Sequence, residues 1–157
     1  MNQIDYDLLN SQLRALLKDE HDALAAAANF VALLYNALDE VNCLGIYVLR
    51  GDELVLGPFQ GKPACTHIAL DEGVCGAAAS TLLTQRVGDV HAFPGHIVCD
   101  PDSRSELVVP LVSHGQLIGV LDIDSPITRR FSEADQDGVE KLCDSFCELQ
   151  ENRKYFI

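Results

Sequence analysis

Residues 107–125 read Leu-Val-Val-Pro-Leu-Val-Ser-His-Gly-Gln-Leu-Ile-Gly-Val-Leu-Asp-Ile-Asp-Ser, and this stretch decides the fold. It contains two apolar runs, 107–112 and 116–123, joined by a turn that includes His114 and Gly115. Apolar runs of this length bounded by a turn are typical of paired strands in a hairpin. Because both runs are apolar at nearly every position, we expect this hairpin to lie near the centre of a sheet.

The segments that flank this hairpin extend the pattern. Residues 44–50 and 53–58 predict a second hairpin, and the sequence predicts short strands at 65–70 and 86–90. Helices are expected over 5–19, 22–39, 73–84 and from Ser132 to about Arg153. This order predicts an α+β fold, with a mainly antiparallel sheet, helices packed on one face, and a helix and loop insertion that forms the site.

Composition narrows the class of protein. The chain has 157 residues, of which 48% are hydrophobic, so we expect a single domain over 1–157. Its formal net charge of −13 disfavours nucleic acid and anionic membranes as partners. The N-terminus lacks the features of a signal peptide, and the most apolar stretch, 24–38, is too short to span a bilayer. These features predict a cytoplasmic protein.

Six cysteines favour metal binding or redox chemistry in a chain without a secretory signal. Cys65, Cys75 and Cys99 fall at or near predicted element ends and loops. Cys75 lies at a predicted helix start, where the helix N-terminus lowers a thiol pKa and can hold an anion. Cys99 lies in the irregular stretch 91–103, whose length is typical of a lid or a site. From placement alone, simple apolar packing of these cysteines is an equal alternative.

The remaining cysteines and the histidines give weaker signals. Cys143 and Cys147 lie four residues apart on the last predicted helix, where core packing is favoured, at least for Cys143. A metal site could be drawn from the loop cysteines with His67, His91 and His96, but their spacings match no zinc pattern. We therefore expect no metal.

Carboxylates on the second strand of the central hairpin are more informative. Asp122 and Asp124 share one face of that strand, and two carboxylates on an apolar strand are costly unless they are paired or used. Their burial and repulsion would raise at least one pKa, as a general acid requires. Glu106 joins them on that face if the hairpin has a three-residue loop or a bulge. A plain two-residue turn puts Glu106 on the other face, and a solvated strand end remains the alternative reading.

Several motifs together resemble one family. Gly57-Pro-Phe-Gln-Gly-Lys-Pro-Ala-Cys65 and Gly73-Val-Cys-Gly76 look like signatures of free methionine-R-sulfoxide reductases, which are stand-alone GAF domains. So do Val90-His-Ala-Phe-Pro-Gly-His-Ile-Val-Cys-Asp100 and Gly119-Val-Leu-Asp-Ile-Asp-Ser125. The resemblance covers nearly the whole chain and is densest over 54–125. Three cysteines in this order with these flanks are far more specific than any one motif.

The resemblance implies a role for each candidate residue. Cys99 matches the nucleophile, Cys65 the resolving cysteine, and Cys75 an auxiliary cysteine. The residues that would bind substrate are Tyr47, Glu106, Asp122 and Asp124. The implied reaction reduces free methionine R-sulfoxide through a sulfenic acid on Cys99 and then an intramolecular disulfide. The resemblance implies thioredoxin as the reductant, no cofactor, a role in oxidative stress, and a homodimer.

Two departures from the family pattern stand out. The family usually has Trp two residues before the glycine of the first strand, but this chain has Cys43 and contains no Trp. A basic residue often precedes Gly-Val-Cys-Gly, but here Asp71 and Glu72 stand there. The alternative function is a non-catalytic GAF module that binds a small molecule or senses redox state. The missing Trp favours that alternative slightly, and the three loop cysteines favour the enzyme.

Overall fold

The computed structural model describes residues 3–151. Within that range a six-stranded antiparallel sheet has the strand order β3-β2-β1-β6-β5-β4. The strands are β1 (Cys43–Arg50), β2 (Glu53–Gly61), β3 (His67–Ala69), β4 (Gln85–Val87), β5 (Ser105–Ser113) and β6 (Gln116–Ser125). The helices are α1 (Tyr6–Leu17), α2 (Ala23–Ala37), α3 (Gly73–Thr81) and α4 (Glu133–Gln150). The predicted α+β fold is confirmed.

The central hairpin, β5–β6, has its turn at His114 and Gly115 as expected, and this turn is the two-residue alternative, with Ser113 opposite Gln116. A bulge follows, because the pairing register shifts between Leu111 and Val112. An extra residue in one strand moves every later side chain to the opposite face of its partner strand. The bulge therefore brings Glu106 onto the face of Asp122 and Asp124, which was one of the two alternatives. Glu106 pairs directly with Asp124, not with Asp122.

Helices α1, α2 and α4 cover one face of the sheet. Their buried side chains form a single core with alternating residues of β1, β5 and β6, and Phe30 stacks on Phe146 with ring centroids 4.7 Å apart. Cys143 lies in this core, so its predicted packing is confirmed, and Cys147 lies there too. Helix α4 begins at a capping box between Ser132 and Asp135. Its predicted end near Arg153 lies outside the described residues.

The opposite face carries a smaller core under α3. Its buried members come from β1, β2, β3, α3, β5 and β6: Tyr47, Leu54, Ile68, Val74, Cys75, Ala78, Ala79, Val108 and Val120. Residues 88–104 pass beside this core with only one short turn of 3-10 helix, Val90–Ala92. This irregular segment and α3 form the predicted insertion, and together they enclose the site described next. No helix within residues 3–151 is long and apolar enough to cross a membrane.

Candidate active site

Two of the predicted cysteines meet as a disulfide. Cys65 follows β2 and Cys99 lies in the irregular segment, and their sulfurs are bonded with 5.3 Å between the Cα atoms. The two residues are 34 positions apart in the chain, so the fold and not local sequence brings them together. The structure is therefore that of the oxidised protein. Cys43, Cys75, Cys143 and Cys147 are free thiols.

Polar and apolar contacts hold the segment that carries Cys99. The side-chain amide of Asn42 donates to Asp100 Oδ2 at 2.9 Å and to Ser103 Oγ at 3.1 Å. Lys62, three residues before Cys65, pairs with Asp102 at 2.6 Å, but both side chains are exposed, so this ion pair contributes little. The Asn42 contacts therefore anchor the chain just after Cys99, while the segment itself stays irregular.

Ile97 from this segment covers the start of α3. Gly73 begins that helix at φ +64°, a conformation that favours glycine, and a Cβ there would lie 3.3 Å from the Ile97 side chain. Ile97 and Gly73 therefore pack too closely for a larger residue at position 73. The irregular segment closes over the helix start in this way.

Glu106, Asp122 and Asp124 come together beneath the disulfide-bearing segment. Glu106 and Asp122 are only 5% and 8% exposed, and the Oδ1 atom of Asp122 is buried with no hydrogen-bond partner among the described residues. Burial, then the charge of Asp124, raises the pKa of Glu106 to about 8. Burial, followed by neighbouring carboxylates, also raises the pKa of Asp122 and Asp124 well above the usual range. Within residues 3–151, no lysine or arginine contributes to the pKa of any of the three.

Cys75 lies against these carboxylates on the first turn of α3. Its Sγ is 4.0 Å from Glu106 Oε1, and the residue is buried. The expectation that the helix N-terminus lowers its pKa is wrong. Burial raises the pKa of the Cys75 thiol well above its ordinary value, and Asp122, Glu106 and Asp124 raise it further. In this state Cys75 is a neutral thiol beside the acids, not a thiolate.

The start of helix α3 carries N–H groups that precede the first helical hydrogen bond. The N–H of Gly76 donates to the carbonyl of Glu72 at 3.0 Å, because Gly76 is the first residue to complete a helical turn. Val74 and Cys75 are therefore first-turn donors. Gly73, which precedes them, is also in the first turn.

Tyr47 and Cys43 lie at the β1 side of the site. The hydroxyl of Tyr47 donates to the backbone carbonyl of Cys65 at 2.8 Å, so it holds the backbone of one disulfide-bonded cysteine. Tyr47 does not line the cavity in this oxidised form. Cys43 pairs across β1–β6 with Asp124, and burial, then Asp122 and Asp124, raises its pKa. The residue that replaces the expected Trp is thus a neutral thiol at the edge of the acidic cluster.

His96 was considered from sequence only as a metal ligand, and its real position was missed. Its Nε2 lies 3.6 Å from Glu106 Oε2, and its side chain is 12% exposed. Burial lowers its pKa. The sequence does contain a signal for this position, because His96 lies three residues before Cys99, in the segment that covers the carboxylates.

The metal ligands suggested by the sequence do not converge in the described part of the chain. His67 pairs with Glu53, and His91 contacts Arg104. A different group, Cys75, Glu106 and Asp122, has ligand atoms within 4.8 Å of one another and could hold a metal ion. The sequence reasoning never combined these three residues as ligands.

Chemically, the site combines a redox-active pair of sulfurs with protonated carboxyl groups. A cavity of about 30 Å³ lies between them, which is room for only one or two water molecules. It is lined by the start of α3, by the irregular segment and by the carboxylates: Ile68, Glu72, Gly73, Val74, Cys75, His96, Ile97, Cys99, Asp100, Ser103, Glu106, Asp122 and Asp124. Thiols can accept oxygen or bond to sulfur, and neutral carboxyls can donate protons to a leaving oxygen.

Comparison with known protein families identifies the same class of protein as the fold and the site. The GAF domain model matches residues 9–147. The free methionine-R-sulfoxide reductase of Escherichia coli is 50% identical over 143 residues, which is 90% of this chain and 87% of that protein. The chain is therefore a GAF domain and belongs to the family of free methionine-R-sulfoxide reductases.

Solved structures of free methionine-R-sulfoxide reductases superpose closely on this chain. The fRMsr of Staphylococcus aureus in complex with substrate superposes with a TM-score of 0.90 at 47% identity, over 95% of this chain and 97% of that one. The free methionine-R-sulfoxide reductase of Neisseria meningitidis, in complex with its substrate, gives a TM-score of 0.88 at 42% identity, over 92% and 87%.

Proposed function

We propose that this protein reduces free methionine R-sulfoxide to methionine, with Cys99 as the nucleophile. The observation that carries this proposal is the pairing of Cys65 with Cys99 at the cavity lined by Glu106, Asp122 and Asp124. The names of the Escherichia coli and Saccharomyces cerevisiae relatives, both free methionine-R-sulfoxide reductases, support the reaction. The complexes of the Staphylococcus and Neisseria proteins with substrate support an amino-acid ligand in the same fold.

The chemistry starts from the reduced pair. The Cys99 sulfur attacks the sulfoxide sulfur, which becomes a good electrophile only when its oxygen is protonated. Glu106 supplies that proton, because a carboxyl with a pKa of about 8 is still neutral near pH 7. The bond between the substrate sulfur and its oxygen then breaks, the oxygen bonds to the Cys99 sulfur as a sulfenic acid, and methionine leaves, reduced by two electrons. Cys65 then attacks this sulfenic acid, releases water and forms the disulfide seen here.

The two charged ends of a free amino acid find complementary groups in the site. Asp122 and Asp124 have no lysine or arginine acting on them in the described chain, so a substrate ammonium would supply the missing positive charge. The orphan Oδ1 of Asp122 is the natural acceptor for that group. The first-turn N–H groups of α3 at Val74 and Cys75 are suited to the substrate carboxylate. Tyr47 contributes the aromatic wall for the methyl end once the disulfide opens.

Recycling requires an external dithiol, and thioredoxin is the proposed donor. Val98, next to Cys99, is 61% exposed and offers a docking partner apolar surface beside the disulfide. Cys75 is a secondary sulfur that can exchange with Cys99 when Cys65 is absent. A homodimer through the terminal helices is supported by exposed leucines on α1 and α2: Leu8, Leu16 and Leu24.

The reaction is tested with purified protein, dithiothreitol and the separate R and S epimers of free methionine sulfoxide. We expect methionine from the R epimer only. A peptide that contains methionine R-sulfoxide should be a poor substrate, because its amino and carboxyl groups are blocked. No methionine from either free epimer, with folded and reduced protein, would refute the proposed function and leave a ligand-binding module.

A further inference from the structure

His96 has no part in the mechanism described so far, yet it reaches the proposed acid. Its Nε2 is 3.6 Å from Glu106 Oε2, and both residues line the same cavity. The side chain of Glu106 is 7% exposed and that of His96 is 12% exposed. Glu106 is therefore nearly shut off from solvent, and the imidazole lies beside it.

The proton balance of the reaction requires a route to this acid. In each turnover Glu106 gives one proton to the sulfoxide oxygen, and that proton remains on the hydroxyl of the sulfenic acid. Cys99 gives up one thiol proton when its sulfur bonds to the substrate, so the overall balance is even. The proton released by Cys99 must nevertheless reach Glu106, which is buried, to replace the proton that Glu106 gave away. An imidazole can accept a proton at one nitrogen and donate one at the other, near neutral pH.

We propose that His96 passes the thiol proton of Cys99 to Glu106 within the same turnover, as Glu106 protonates the sulfoxide oxygen. This inference rests on the proposed function. The distance of 3.6 Å is longer than a hydrogen bond, as catalytic contacts often are before substrate binds. In the reduced, substrate-bound protein the contact shortens or holds one water molecule.

The groups around His96 and Glu106 favour transfer of the proton from the imidazole to the carboxylate. Burial lowers the pKa of His96, and burial followed by Asp124 raises that of Glu106, so near neutral pH the proton rests on Glu106. The other titratable groups of the site come from β1, α3, the irregular segment and β6: Cys43, Tyr47, Glu72, Cys75, Asp100, Asp122 and Asp124. All of them are acids, so none competes with His96 as a proton-accepting base.

The test compares His96→Asn with His91→Asn, the same substitution at a histidine that lies outside the cavity and contacts Arg104. Reduced protein is mixed with methionine R-sulfoxide without added reductant, and methionine is measured through the first turnover, from about pH 6 to about pH 9. For His96→Asn we expect the first-turnover rate to fall about tenfold or more. The concentration of methionine R-sulfoxide that gives half the maximal rate should change by less than about threefold. Free imidazole should restore part of the rate, and His91→Asn should match the unsubstituted protein.

A double variant distinguishes proton transfer through His96 from a purely structural role of His96 in placing the loop. If His96 acts through Glu106, then His96→Asn should cause no further loss in a Glu106→Gln background. Circular dichroism and formation of the Cys65–Cys99 disulfide check the fold, and His96→Gln replaces any His96→Asn protein that fails this check.

Several results would overturn the inference. One is an unchanged first-turnover rate at every pH. A loss that imidazole does not relieve, or that is equally large in the Glu106→Gln background, would also contradict it. If the unsubstituted protein itself makes no methionine, then the proposed function fails, which is a different outcome.

Discussion

At the scale of single residues, burial without a nearby cation sets the chemistry of Glu106. The sequence identified Glu106, Asp122 and Asp124, because carboxylates on an apolar strand are unusual. It left the face of Glu106 open, because one residue in a bulge decides that face. It missed His96 for a related reason: contacts between a loop and a strand follow no spacing rule. It also gave Cys75 a lowered pKa, because helix position is visible in sequence and burial beside carboxylates is not.

Glu106 should make the chemical step depend on pH. With its pKa raised to about 8, the neutral acid is lost as pH rises through that value, so the first-turnover rate should fall above about pH 8. Glu106→Gln should lower the rate at neutral pH by about a hundredfold and remove this alkaline limb. Quenched-flow measurement of methionine at several pH values tests both effects. An alkaline limb that persists in Glu106→Gln would assign the acid to another group.

Glu106 should also affect stability in a pH-dependent way. Its pKa in the folded protein is above its ordinary value of 4.5, so its stabilising contribution is complete below about pH 4.5 and is lost as pH rises through about 8. Glu106→Gln should remove up to about 5 kcal/mol of this loss of stability, because a rise in pKa from 4.5 to about 8 corresponds to about 1.4 kcal/mol per pKa unit. Urea unfolding of both proteins at acidic and alkaline pH measures the difference. Parallel stability curves would mean that Glu106 is solvated.

The cysteines should divide the work between them. Cys99→Ser should abolish even a first turnover, because no sulfur then reaches the sulfoxide. Cys65→Ser should keep the first turnover and lose efficient recycling by thioredoxin, since it lacks the main resolving thiol. Cys143→Ser is the matched control, because that buried cysteine lies on the opposite side of the sheet and should leave both rates unchanged. Full activity in Cys99→Ser would contradict the assignment of the nucleophile.

At the scale of elements, one close contact fixes α1 against α4. Gly138 in α4 lies against the ring of Tyr6 in α1, and any Cβ at position 138 would overlap that ring. The Tyr6 hydroxyl also donates to Asp135 at 2.7 Å. A glycine inside a helix costs about 1 kcal/mol relative to alanine, so its presence here is explained by packing and not by helix propensity.

Gly138→Ala should therefore destabilise the protein despite the better helix former. We expect a net loss of about 1 to 2 kcal/mol, because overpacking costs more than helix propensity returns. Urea unfolding measures it. The same change in a Tyr6→Ala background should be neutral or stabilising, since the ring is gone. Equal destabilisation in both backgrounds would show that the ring is not the obstacle.

The sequence predicted most elements because their patterns are local. Strand pairs around short turns and the capping box at Ser132 specify themselves within a few residues. Position and order in the sheet were only partly predictable, since pairing β1 with β6 joins segments more than 60 residues apart. The irregular segment was predicted as a lid or a site from its length, but its anchors on Asn42 and Gly73 come from distant parts of the chain.

At the scale of the whole molecule, the disulfide links two otherwise separate parts of the chain. It closes a segment of 34 residues that includes β3, α3 and β4. Cross-linking a segment of this length removes conformational entropy from the unfolded chain and should stabilise the oxidised protein by about 4 kcal/mol. In the proposed catalytic cycle, the protein would thus alternate between two forms of different stability.

This difference is measured by urea unfolding of the oxidised and the fully reduced protein. The oxidised form should unfold at higher urea, and Cys99→Ser should show no such dependence on reductant. Identical midpoints for the two redox forms would mean that Cys65 and Cys99 do not pair in solution.

The most direct test of the account uses the protein's own thiols as the only reductant. Fully reduced protein is given one equivalent of free methionine R-sulfoxide, and the products are analysed by mass spectrometry. The account predicts about one methionine per chain and the loss of two hydrogen atoms, mapped to a disulfide between the peptides that contain Cys65 and Cys99. Methionine formed without that disulfide, or a protein that stays reduced while the sulfoxide is unchanged, would contradict it.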